Sequence, residues 1–153
     1  MKREELLKMV KEDGLNLYYA EEQDKEICLT AVKQNGLALE YVQNQDREIC
    51  LEAVRQNGNS LQYATNELRN DKEVVFEAVK QSGYALQYAS EELRNDKEVV
   101  LEAVKQDGRL LHYVSNELQN NKEIVLKAVK KSPDALQYAS EELKKDRENI
   151  KAE

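Results

Sequence analysis

Apolar residues recur along this chain at the spacing of a buried helix, interrupted by glycines and polar connectors. Within residues 71–95 they fall at Val74, Val75, Phe76, Ala78 and Val79, a period-3.6 pattern wide enough for a helix covered on most of its girth. Strand alternation does not fit. Asp71 is a suitable N-cap, Glu73 suits the positive end of the helix dipole, and Lys80 suits the negative end. Gly83 then stops the helix, the usual place for a left-handed cap. A second amphipathic stretch follows over residues 85–93, where Leu86, Ala89 and Leu93 share a face. It predicts a shorter second helix; the alternative is that Ser90 caps a separate short turn.

The same pattern returns along the whole chain. DKEICLTAVKQNG, DREICLEAVRQNG, DKEVVFEAVKQSG, DKEVVLEAVKQDG and NKEIVLKAVKKSP align from Asp24, Asp46, Asp71, Asp96 and Asn121, and KREELLKMVKEDG fits from Lys2. The units are residues 2–23, 24–45, 46–70, 71–95, 96–120 and 121–145, two of 22 residues and four of 25, followed by a stub, 146–153. The additional three residues of the longer units bring in Leu68, Leu93, Leu118 and Leu143. One helix pair of this size cannot bury its own apolar faces, so neighbouring units must complete the core. The fold class expected is all-α, an α-solenoid forming a single helical-repeat domain. The ends turn polar: Glu5 replaces the first apolar residue of the pattern, and Asn149 and Lys151 do so in the stub. Pro133 stands where five units have glycine. Proline cannot adopt a left-handed cap, so either the last unit has its own turn, with Ser132 and Pro133 opening the second helix, or that position never required positive φ.

The unit D[KR]E[IV][VC]LxAVKQxGxALQYAxxELxx, with its shorter form ICLxAVxQNGxxLxYV, resembles the tandem repeats catalogued as domain of unknown function 4116. The resemblance covers nearly the whole chain and implies repeated helical units. It carries no activity, substrate or site residue.

Composition narrows the chemistry. The chain carries 23 Lys plus Arg against 30 Asp plus Glu, a net charge of -7, so direct nucleic-acid binding is not expected. The opening MKREELLKMVKEDG has charges where a secretory signal needs a continuous apolar run, which places the protein in the cytoplasm, with no membrane span. His112 is the single imidazole and has no evident nucleophile or carboxylate partner. Cys28 and Cys50 occupy the helix position that Val75, Val100 and Val125 fill later. They are expected to be buried free thiols, since adjacent helix layers hold equivalent Cα atoms about 9 to 10 Å apart, beyond the ~7 Å reach of a disulfide. No metal site, cofactor or catalytic set is expected, and the protein is read as a non-enzyme.

Six tyrosines, Tyr19, Tyr41, Tyr63, Tyr88, Tyr113 and Tyr138, recur at one position and should close the edge of the core as a ladder. Lys25, Arg47, Lys72, Lys97, Lys122 and Arg147 form a basic stripe, each followed by Glu, and read as a solvated face together with the Glu52/Arg55, Glu77/Lys80 and Glu102/Lys105 pairs. Recognition is expected where units differ on a fixed framework. The residues after the glycine position are Leu15, Leu37, Asn59, Tyr84, Arg109 and Asp134; three further on stand Tyr18, Glu40, Gln62, Gln87, His112 and Gln137. The candidate partner-binding residues are Leu15, Tyr18, Leu37, Tyr84, Arg109 and His112. The functional expectation is a scaffold binding a protein partner along the second helices. The alternative is an acidic inhibitor that imitates nucleic acid and blocks a nuclease or another nucleic-acid-binding protein.

Overall fold

A computed structural model describes residues 1–146, so Arg147, Asn149 and Lys151 lie outside the described residues. The first two units are α1 (Arg3–Glu12) with the 3-10 helix η1 (Gly14–Tyr19), then α2 (Lys25–Gln34) with η2 (Gly36–Tyr41). The third has α3 (Arg47–Gln56), η3 (Gly58–Tyr63) and a short α4 (Asn66–Arg69). Next come α5 (Lys72–Gln81), η4 (Gly83–Tyr88) and α6 (Glu91–Arg94), then α7 (Lys97–Val104), η5 (Gly108–Tyr113) and α8 (Asn116–Gln119). The sixth unit has α9 (Lys122–Lys131), η6 (Pro133–Tyr138) and α10 (Glu141–Lys145). No strand occurs among the described residues. The architecture is the all-α solenoid: the long helices pack in the order α1, α2, α3, α5, α7, α9, the 3-10 helices stack beside them from η1 to η6, and each 3-10 helix from η1 to η5 also packs on the next unit's long helix.

The N-caps follow the sequence pattern. Asp24, Asp46, Asp71, Asp96 and Asn121 each accept a hydrogen bond from the amide three residues on, at 2.8–3.2 Å. The second helix does not form as a single piece. It divides into a 3-10 helix and, in the long units, an α-turn whose N-cap is Thr65, Ser90, Ser115 or Ser140. The Ser90 alternative is therefore the observed one. The division follows from spacing: Gly83, Leu86 and Ala89 are buried at intervals of three, and three residues per turn is the 3-10 repeat.

Among the described residues none adopts positive φ, glycine included, so the left-handed stop at Gly83 is corrected. The long helix instead ends on an extended residue before the glycine, with φ -149° at both Asn35 and Ser82. The glycine is needed for close approach to the next unit. A Cβ on Gly14, Gly36, Gly58 or Gly108 would stand only 1.9–2.4 Å from the carbonyl oxygen of Ala31, Ala53, Ala78 or Ala128. Pro133 now has a simple account: its position never required a left-handed backbone, and it opens η6 with Ser132 extended before it.

Two side-chain systems tie the units together. Gln34, Gln56, Gln81 and Gln106, near the ends of their long helices, accept the amides of Gly14, Gly36, Gly58 and Gly83 in the preceding unit, at 2.5–2.7 Å. Along the opposite end of those helices, Arg3, Lys25, Arg47 and Lys72 each reach forward to the N-cap aspartate and the glutamate two residues after it in the next unit. Lys97 reaches Glu123. The stripe is thus a chain of ion pairs between units. Glu102 of α7 and its C-cap residue Lys105 pair within one unit at 2.6 Å, whereas Arg55 reaches across to Glu77 at 3.7 Å. No ion pair joins Glu52 to Arg55 or Glu77 to Lys80 among the described residues.

Cys28 and Cys50 are free and buried in the core as expected. Burial, together with the charges of Asp24 and Asp46, pushes the Cys28 thiol up to about 11; burial and the charge of Asp71 push Cys50 up to about 12.

Candidate functional site

The variable residues occupy the second and fifth positions of the 3-10 helices, and residues three apart eclipse in that geometry, so they form one row per unit. Gln62, Gln87 and Gln137 show the eclipse directly, each donating its side-chain amide to the carbonyl of the residue three before it, at 3.1 Å. The six candidates share this face but fall into two groups.

At one end, Leu15 and Tyr18 are exposed, Tyr18 at 66%. The Tyr18 ring makes edge contacts with Tyr19, at 5.2 Å between centroids, and with Tyr41 of the next unit at 5.3 Å. Leu37, in the next unit, is half-buried.

In the second group His112 repeats the arrangement, lying 5.2 Å from Tyr113 and 4.9 Å from Tyr138 of the next unit. Tyr84 and Arg109 converge on Asp107. The Tyr84 hydroxyl donates to Asp107 Oδ2 at 2.9 Å, and Arg109 donates through Nε and Nη2 at 3.0 and 2.8 Å. The Arg109 backbone amide and the Ser132 hydroxyl complete the set. Arg109, first, with its amide and the Tyr84 hydroxyl, holds the Asp107 carboxyl well below the usual carboxylate range despite an opposing effect of burial. Asp107 in turn raises the Tyr84 phenol, through the hydrogen bond and its charge. This node joins three units and fixes a tyrosine and an arginine side by side on the exposed face. Sequence reasoning missed Asp107; it stands where Asp13, Asn35 and Asn57 cap their 3-10 helices, and nothing in the repeat alignment sets it apart from them.

The tyrosine ladder is graded. Tyr41, Tyr63, Tyr88, Tyr113 and Tyr138 pack against the core half-buried, while Tyr19 is 59% exposed. Among the described residues no three His, Cys, Asp or Glu side chains stand together as metal ligands, and no helix is long and apolar enough to cross a membrane. What the face offers is shape, aromatic surface and fixed charge.

These features define a class, the tandem helical-repeat proteins in which each unit contacts its neighbours and one row of side chains per unit faces outward. Within it, the chain belongs to the family described as Domain of unknown function (DUF4116), whose model matches residues 2–45, 46–94, 71–119, 96–144 and 121–152. No curated protein and no solved structure matches the chain.

Proposed function

We propose that the protein is a non-enzymatic, cytoplasmic scaffold that binds a polypeptide partner along the outward face of η1 to η6. The supporting observation is the Tyr84–Asp107–Arg109 node. It holds two residue types that dominate interface energetics, already oriented, on a face whose other positions change from unit to unit. The acidic-mimic reading has less support, because the carboxylates along the long-helix edge alternate with cations and are neutralised by them.

The test compares three baits for affinity capture: the parent chain, a Tyr84→Ala/Arg109→Ala double variant, and a Lys72→Ala/Lys97→Ala variant. A specific partner should be retained by the lysine variant and weakened about thirtyfold by the double variant, equivalent to roughly 2 kcal/mol. Loss on the lysine variant with full retention on the double variant would place binding on the other edge.

A further inference from the structure

The chain twice builds the same carboxamide clamp. Gln23 donates Nε2 to the Tyr41 carbonyl at 2.7 Å and accepts the Gln43 amide on Oε1 at 3.0 Å. Gln45 does the same with the Tyr63 carbonyl and the Thr65 amide, at 2.8 and 3.0 Å. Each glutamine directly precedes the N-cap aspartate of a long helix and grips the backbone that leaves the 3-10 helix of that unit. In the first unit the matching backbone groups are the Tyr19 carbonyl and the Glu21 amide, and the matching side-chain position is Met1. A methionine thioether can supply neither the amide donor nor a comparable acceptor.

At this place the structure has a groove of about 680 Å³, lined by Met1, Tyr19, Ala20 and Glu21 among others, with Leu6 and Ile27 as its buried apolar wall. Met1 and Tyr19, which line it, are exposed large hydrophobic residues. The rim is acidic. Glu21 and Glu22 are exposed and without ion pairs among the described residues, while the charge of Arg3 is taken up by Asp24 and Glu26.

On the long-helix side of this unit, Lys2 stands in place of the N-cap aspartate that receives a cation at the internal joints, and Glu5 interrupts the apolar pattern. The occupant that fits the groove is therefore a short segment gripped at the connector.

We propose that this groove is a binding site for an extended polypeptide segment that inserts a glutamine side chain between the Tyr19 carbonyl and the Glu21 amide and sets lysine or arginine against Glu21 and Glu22. The carboxamide is specified by one backbone acceptor and one backbone donor, a pair that a carboxylate cannot satisfy. Basic flanking residues are specified by the unpaired rim. The site adjoins the η1 end of the 3-10 face at Tyr19, but its clamp and acidic rim are argued without the scaffold reading.

The test titrates the ¹⁵N-labelled full chain with the blocked hexapeptide acetyl-AVAQKK-amide. The Glu21 amide resonance should move with added peptide. The peptide with Glu in place of Gln should bind at least tenfold more weakly, and one with both lysines changed to glutamate should also weaken. A second arm puts Gln in place of Met1 behind an added initiator methionine. This M1Q chain should fill the site from within, raise the unfolding temperature and abolish the peptide shift. A stationary Glu21 amide at 10 mM peptide, equal binding of the Gln and Glu peptides, or shifts confined to Tyr84, Arg109 and His112 would each overturn the proposal. So would an M1Q chain that binds peptide like the parent.

Discussion

Replacing the interface glycines by alanine separates close packing from backbone conformation as the reason those glycines are present. If positive φ were the reason, every Gly→Ala change would carry a similar cost. Since no glycine has positive φ, alanine gains a small unfolded-state advantage of about 0.4–1 kcal/mol at each position, and the cost arises from what the new methyl meets. At Gly108 it meets the Ala128 carbonyl oxygen at 1.9 Å and carbon at 2.7 Å; at Gly58 it meets the Ala78 oxygen at 2.3 Å. These are backbone atoms of a packed helix, and relief requires the two units to part. Overpacking of this kind costs about 1–3 kcal/mol or more. Parting also strains the interunit hydrogen bond of the glycine amide, a further 0.5–1.5 kcal/mol or so. At Gly83 the nearest atoms are Leu110 Cδ1 at 2.7 Å and Gln106 Oε1 at 3.0 Å, with the Ala103 oxygen at an ordinary 3.4 Å. Side-chain ends can move, so about 1 kcal/mol or less is expected there. Urea denaturation followed by circular dichroism should rank the midpoints Gly108→Ala lowest, Gly58→Ala next and Gly83→Ala closest to the parent. At a urea dependence of about 2 kcal/mol/M, 3 kcal/mol is a shift of roughly 1.5 M. Equal midpoints for all three, or Gly83→Ala as the lowest, would refute the close-approach account.

Gln81→Ala leaves the Gly58 amide without its side-chain acceptor and should destabilise by about 1–2 kcal/mol, read from the same urea midpoints. The hydrogen bonds from Arg3 and the Ile27 amide hold Asp24 below the ordinary aspartate value of 3.8, and the Ile49 amide and Lys25 do the same for Asp46; at Asp71, burial opposes a lowering by Arg47 and the Val74 amide. A folded-state pKa below the unfolded one means stability is full above about pH 4 and lost as acid protonates these groups. Asp71→Asn, which keeps the cap as Asn121 does, should therefore reduce the acid sensitivity of the thermal midpoint between pH 4 and pH 2. Cys28 and Cys50 should resist iodoacetamide at pH 8 in the folded chain and react once it is unfolded, because their thiolates form only near pH 11 to 12. Rapid labelling of the folded protein would contradict their burial.

The sequence shows the stack more plainly than the joints that hold it. Long-helix residues such as Val74, Val75, Ala78 and Val79 are buried at the spacing their polarity implies, and the Asp caps stand where they should. The second helix was legible too, but through a different number: glycine, Leu86 and Ala89 recur at a strict three, and a 3.6-period reading smooths that into a longer α-helix. The interunit contacts were harder to see. Gln81 looks like an ordinary polar residue near a helix end, and its role depends on the Gly58 amide 23 residues earlier. Arg47 followed by Glu48 reads as part of a solvated face, whereas its partners are Asp71 and Glu73 in the next unit. At the candidate face, residue choice at Tyr84 and Arg109 was visible. Their common attachment to Asp107 depends on the stacking of three units, which side-by-side repeat alignment does not convey.

The central claim is that each unit is held by its neighbours through equivalent joints, and deletion of residues 71–95 in register tests it most directly. Removal brings Arg47 against Asp96 and Glu98, and Gly58 against the Ala103 carbonyl and Gln106, the same residue types it meets at Asp71, Glu73, Ala78 and Gln81. The shortened chain should keep its helical circular dichroism per residue and unfold cooperatively in urea. A deletion variant that is unfolded in buffer, while the parent remains helical, would contradict the account.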